Sequence, residues 1–129
     1  MSEANVEVVR RWVELFNTRD NVDEFLSLHD PEVVLQTPGG PRLNGHDQVR
    51  GWFEAGYEDM KPRLLPERFV TGSDTVVGLG RTETRWIESG DVASEFESAG
   101  AYWFRNGKII KWQPFPTHAE ALEAAELSE

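Results

Sequence analysis

An arginine and a glutamate stand two residues apart, Arg81 and Glu83, in the run that begins Val76-Val77-Gly78-Leu79-Gly80. Side chains at that spacing leave the same face of a strand. A carboxylate set against apolar walls is pushed toward its neutral form, and an adjacent guanidinium pulls it back toward the charged one. Between those two influences Glu83 can act as general base on a carbon acid or a water. Arg81 would stabilise the oxyanion that develops. Tyr102 offers a phenol to the same oxygen, and Gln36 an amide to hold a water or a carbonyl. Glu83, Arg81, Gln36 and Tyr102 are therefore the catalytic candidates. Read as plain structure, Arg81 and Glu83 are a rim ion pair.

Strand alternation decides which side chains share a cavity with them. Over 76–86 we expect Val77, Leu79, Arg81, Glu83 and Arg85 to face inward, apolar at the base and charged at the mouth. Val76, Gly78, Gly80, Thr82, Thr84 and Trp86 would then face out, provided no bulge precedes residue 83. Farther on, the inward sets are Phe96, Ser98, Gly100, Tyr102 and Phe104, then Ile110, Trp112, Pro114 and Pro116. The expected substrate-binding walls are Trp12, Phe16, Val34, Phe53, Leu79, Phe96, Ser98, Trp112 and Pro114. Many aromatics with few polar groups suit a small apolar or aromatic molecule. Taken singly, Trp12 and Phe53 suit core packing better than ligand contact.

Other chemistries lack their residues. There is no cysteine, hence no disulfide framework and no thiolate zinc site. His29 precedes Asp30-Pro31 and suits a helix C-terminus, while His46 and His118 begin helices and read as solvated. None pairs with a carboxylate at metal-ligand spacing, so neither metal nor cofactor is expected. Gly39-Gly40 lacks the lysine and the strand-to-helix setting of a phosphate loop. A net charge of −10 repels phosphate backbones, so nucleic acid is not an expected partner; a solvated acidic surface accounts for the charge. No apolar run reaches membrane-spanning length and the first residues are charged and amphipathic, so no membrane association and a cytoplasmic setting are expected.

The elements that would hold these groups follow from pattern. With 39% hydrophobic and 28% charged residues, the chain reads as one globular domain, 1–129. A helix over 5–17 puts Val6, Val9, Val13 and Phe16 on one face. Asn21 and Glu24 form a capping box for a short second helix. Residues 33–36 read as a strand, 37–41 as a loop, and 46–58 as a helix. Pro62 and Pro66 mark an edge strand. Long strands follow at 75–87, 94–105 and 108–115, the last two joined by Asn106-Gly107, a type I′ hairpin signal. Thr117 and Glu120 cap a final helix over 118–125. Helices followed by hairpin-linked strands give an α+β fold: a curved antiparallel sheet forming a cone around three helices, plus a C-terminal helix. Trp86, Ala99, Ala101, Trp103 and Phe115 would leave an apolar outer sheet face, through which we expect a homodimer.

The segments VEVVRRWVELFNTRD, DPEVVLQTP, NGHDQVRGWFEAG and FRNGKIIKWQPFPTHAEAL together resemble the SnoaL-like branch of the nuclear transport factor 2-like superfamily. Its most distinctive part here is the turn Arg105-Asn106-Gly107-Lys108, then Trp112, then a capped Ala-rich helix. The resemblance implies kinship with ketosteroid isomerase, polyketide cyclases and limonene epoxide hydrolase. Arg81-x-Glu83 resembles the Arg-x-Asp pair of limonene epoxide hydrolase, allowing one residue of slip in the following hairpin. Gln36 before Thr37-Pro38 matches its water-positioning Asn. Pro114 stands where that family has a second catalytic Asp, and Val34 where it has a Tyr, so its mechanism does not carry over intact. Many SnoaL-like relatives place His at the positions of Gln36 and Gly100. The expected function is cofactor-free acid/base chemistry, of isomerase, cyclase, lyase or hydrolase type, on a small, mostly apolar substrate. The alternatives are a small-molecule binding protein without turnover and a dimeric association module.

Overall fold

Asn106 and Gly107 have φ of 53° and 77°, the left-handed pair that a type I′ turn requires. They set Arg105 opposite Lys108 and so fix the register of the last hairpin. The computed structural model describes residues 2–129. Its elements are α1 (Ser2–Thr18), α2 (Val22–Ser27), β1 (His29–Gln36), β2 (Arg42–Asn44), α3 (Gly45–Ala55), β3 (Met60–Thr71), β4 (Thr75–Trp86), β5 (Val92–Arg105), β6 (Lys108–Phe115) and α4 (His118–Ala124). Both helices carry the expected side-chain N-cap. Asn21 accepts from the Glu24 N–H at 3.1 Å, and Thr117 from that of Glu120 at 3.2 Å.

The six strands make one curved sheet in the order β2-β1-β6-β5-β4-β3. β1 runs parallel to β6, and every other pairing is antiparallel. The proline-bearing strand β3 lies at an edge, where missing N–H donors cost least. β1 begins at His29, earlier than the apolar run suggested, because Ile109 N–H donates to the Leu28 carbonyl and draws the segment alongside β6.

Two apolar layers lie on opposite faces of the sheet. Helices α1 to α3 pack on the inner face, where Val9, Trp12, Phe16, Phe25 and Phe53 meet Val76, Tyr102, Phe104, Ile109 and Trp112. Helix α4 covers the outer face, where Ala121 packs on Val77, Leu79, Ala99 and Ala101. Fully burying a side chain the size of Leu79 stabilises by about 1.5–3 kcal/mol. The outer apolar face expected to seek a second copy is thus largely covered within the chain: Ala99 and Ala101 are buried, Trp103 and Phe115 are half-buried beside α4, and Trp86 stays exposed.

This layering reverses the expected parity of β4. Val77 and Leu79 face outward under α4, while Val76, Gly78, Gly80, Thr82 and Thr84 share the inner face with Tyr102, Gly100, Ser98, Phe96 and Ser94, their direct partners or near neighbours on β5. No bulge lies between Thr75 and Thr84 on this pairing. The cause is space. A Cβ on Gly80 would lie 2.1 Å from the Leu65 carbonyl oxygen, and one on Gly78 3.3 Å from the Phe69 ring. Bulky residues go where α4 accepts them, and glycines where β3 folds close. One bulge does act in β6: Trp103 pairs with Lys111 but Phe104 with Ile109, so Ile109 is buried on the inner side where Ile110 was expected.

Candidate functional site

The inner face and the loops at its open end enclose a cavity of about 770 Å³. Its aromatic walls are Phe16 from α1, Trp52 from α3, Tyr57 from the segment after it, Phe96 from β5 and Trp112 from β6. The Thr37–Pro41 loop closes one side, held by a 2.7 Å hydrogen bond from the Thr37 hydroxyl to the Pro41 carbonyl. Met60 and Phe96, 43% and 49% exposed, stand at the mouth, whereas Trp112 is buried at the deep end. Prolines 62, 114 and 116 complete the apolar lining.

The polar groups inside are few and uncharged. Thr82 and Ser98 share a hydroxyl–hydroxyl hydrogen bond of 2.6 Å, and Thr84, which also lines the cavity, makes another of the same length to the exposed Ser94. Gln36 lines the cavity and donates to the Thr37 carbonyl at 3.3 Å. No carboxylate, imidazole, ammonium or guanidinium is among the described residues that line this space.

A smaller chamber of about 50 Å³ lies deeper, between α1 and the inner face of β3–β5. It shares Leu64, Thr82, Ser98, Trp112 and Pro114 with the large cavity, so those side chains form the partition. Tyr102 lines it, and burial pushes the phenol pKa upward, keeping the hydroxyl protonated.

An arginine that no motif in the sequence marks organises the walls. Arg19, at φ 56°, follows α1 and turns its guanidinium back beneath α3. It donates to the carbonyls of Phe16 at 3.0 Å, Phe53 at 3.2 Å and Trp52 at 3.3 Å, and to the Tyr57 hydroxyl. It also lies over the Trp52 ring at 4.3 Å and the Phe16 ring at 4.8 Å. Burial lowers its pKa, opposed by Tyr57. The only sequence signal was a basic residue just past a helix end, where left-handed residues collect.

The candidates from sequence divide accordingly. Gln36, Phe16, Phe96, Ser98, Trp112 and Pro114 line the large cavity, and Tyr102 the chamber beneath it. Arg81 and Glu83 do not join them. Both leave the outer face, where Arg81 pairs with Glu95 and Glu67, and Arg85 donates to Glu83 at 2.6 Å. The expected general base and its electrostatic partner are therefore turned away from the cavity, because the parity of β4 is reversed. Leu79 lies outside for the same reason. Trp12 and Phe53 are core. Trp12 is fully buried and donates to His29 Nε2 at 2.9 Å, and Phe53 stacks on Phe25 at 4.4 Å. Val34 is half-buried in β1 and lines neither space.

The histidines are bonded to main chain. His29 Nδ1 donates to the Phe25 carbonyl at 2.8 Å, closing the last turn of α2 as expected; burial holds its pKa down at about 4. His46 and His118, expected in solvent, instead reach the carbonyls of His29 at 3.0 Å and Gly80 at 2.9 Å.

Comparison with known proteins gives this arrangement its family. Residues 9–112 match the SnoaL-like domain. The chain belongs to the SnoaL-like domain family. No curated protein matches it, but solved structures share its nuclear transport factor 2-like fold. An NTF2-like protein of unknown function from Burkholderia pseudomallei superposes with a TM-score of 0.76 at 24% identity, covering 95% of this chain and 97% of that one. A putative polyketide cyclase from Xanthomonas campestris gives 0.74 at 16% identity, over 92% and 94%. A limonene epoxide hydrolase-like enzyme from M. tuberculosis gives 0.72 at 11% identity, over 95% and 89%. At these identities the likeness is one of fold. Within this SnoaL-like domain, no helix among the described residues is long and apolar enough to cross a membrane.

Proposed function

We propose that this SnoaL-like domain binds a small, mostly apolar, uncharged molecule in its cone, without a side-chain base to turn it over. The observation that carries this reading is the lining itself: an aromatic cavity of about 770 Å³ whose polar groups are hydroxyls and one amide. That size matches drug-sized ligands, which are held mostly by apolar contact and oriented by a few polar groups. An ionised ligand buried there would lack a counter-charge and lose several kcal/mol, on the order of an unpaired buried ion. Cofactor-free catalysis, the activity that the family resemblance implies, would here have to run on hydroxyl and indole donors, since Glu83 and Arg81 face outward. A cytoplasmic setting and a homodimer belong to the same proposal. The dimer now rests on the apolar side chains left exposed near the β4–β5 turn, Trp86, Ile87 and Val92.

Calorimetric titration with methyl naphthyl ketone and with naphthoate tests the reading. The neutral ketone should bind at least about tenfold more tightly than the anion. Ser98→Phe, which places a ring in the cavity, should abolish binding while the protein stays folded. Preferential binding of the anion, or ketone binding undiminished in Ser98→Phe, would overturn the assignment.

A further inference from the structure

Two hydroxyls meet on the sheet wall of the cone. Thr82 on β4 and Ser98 on β5 both line the large cavity, and their oxygens lie 2.6 Å apart. Two hydroxyls hold two protons, and the bond between them uses one. The second proton has no acceptor among the described residues, and neither oxygen accepts from any other group there. Either oxygen can be the donor, so the pair can present its free O–H from either end. Thr82 is 7% exposed and faces the cavity rather than bulk solvent. In an apolar wall a hydroxyl gains nothing unless its bonds are met. The other lining hydroxyls are bonded elsewhere: Thr37 donates to the Pro41 carbonyl, Tyr57 accepts from Arg19, and Thr84 pairs with Ser94. Thr82 and Ser98 differ from them in being bonded only to each other, both inside the cavity.

Resting on the reading of the cone as a binding site, we propose that Thr82 and Ser98 form a seat for one hydroxyl group of the bound molecule. A third oxygen placed about 2.8 Å from both closes a triangle in which each oxygen donates once and accepts once. Hydrogen bonds in such a ring polarise one another. A carbonyl oxygen has no proton to give, so it accepts the free O–H and leaves the ring open. A carboxylate or an ammonium would bring a charge to a lining that holds no counter-charge among the described residues. The ligand class is thus a neutral alcohol with a bulky apolar body. Its carbinol carbon lies against the β4–β5 wall, and its rings lie among Phe16, Trp52 and Trp112.

The experiment titrates wild type and the double variant Thr82→Val, Ser98→Ala with three ligands of similar shape: naphthyl methyl carbinol, methyl naphthyl ketone and isopropylnaphthalene. The last has a methyl where the carbinol has its hydroxyl. The ratio of carbinol to hydrocarbon affinity should fall at least about tenfold from wild type to variant, the worth of two neutral hydrogen bonds. The ratio of ketone to hydrocarbon affinity should fall less, by the worth of one. In wild type the carbinol C–H should show nuclear Overhauser cross-peaks to the Thr82 methyl and the Ser98 β-protons, a readout that needs no variant to fold. A carbinol ratio unchanged within about twofold, or one that falls no further than the ketone ratio, would overturn the seat while leaving the cavity reading intact. A bound carbinol whose C–H contacts other parts of the cavity and neither of these residues would do the same. Failure of all three ligands to bind would overturn the cavity reading and the seat together.

Discussion

Arg19 holds the aromatic walls from behind: three backbone carbonyls and a phenol converge on one guanidinium that has no carboxylate partner among the described residues. Hydrogen bonds from a charged donor are worth more than neutral ones. Arg19→Leu should therefore cost on the order of 2–3 kcal/mol in chemical denaturation and weaken ligand binding by loosening Trp52 and Tyr57. His29 makes a different demand. Its folded pKa of about 4 lies below the ordinary 6.5, because burial penalises the charged ring. The unfolded chain then takes up a proton that the folded one refuses. Stability is full above pH 6.5 and falls as pH drops toward 4, by about 3 kcal/mol over that window. Denaturation midpoints measured across the window should show the loss, and His29→Gln should flatten it. Glu83 is the contrasting case. Paired with Arg85 on the outer face, it is separated from the cavity by the sheet. Glu83→Gln should leave the affinity for methyl naphthyl ketone unchanged within about twofold.

At the scale of elements, the β5–β6 turn depends on two positive φ values. Gly107→Val should lower stability by about 1–3 kcal/mol, visible as a lower melting temperature. That turn was legible in the sequence because only a few residue types tolerate the left-handed region. The N-caps at Asn21 and Thr117 and the proline-marked edge strand were legible for the same kind of reason: each is a local constraint that a residue type states directly. The β6–β1 parallel pairing was not, since it joins segments about 75 residues apart in the manner that Arg105 bonds Asp30. Nor was the facing of β4. Alternation divided its residues into two sets correctly, but which set lies inside depends on what covers the other. Val77 and Leu79 have the apolar character of a cavity floor but are buried by α4, and Gly78 and Gly80 carry no side chain to mark them as internal but lie under β3. On β5 the same reasoning succeeded, because the face opposite Phe96, Ser98 and Tyr102 carries the charged Glu95 and Glu97 and the small Ala99 and Ala101. The Thr82–Ser98 hydroxyl pair could not be inferred at all, since hydrogen-bond pairing is a property of the packed state.

The whole molecule sets a net charge of −10 against an interior cavity that the described residues line without charge. The acidic exterior disfavours anionic partners at a distance, and the interior disfavours any ion on arrival. Both select for a neutral guest reaching the mouth between the Thr37–Pro41 loop, Met60 and Phe96. The most direct test is to locate such a guest by intermolecular nuclear Overhauser effects between bound methyl naphthyl ketone and the protein. The account predicts cross-peaks from the naphthyl ring to Phe16, Trp52, Phe96 and Trp112, and none to Leu79 or Ala121 beneath α4. Cross-peaks confined to the outer face, or no bound ketone at millimolar concentration, would contradict it.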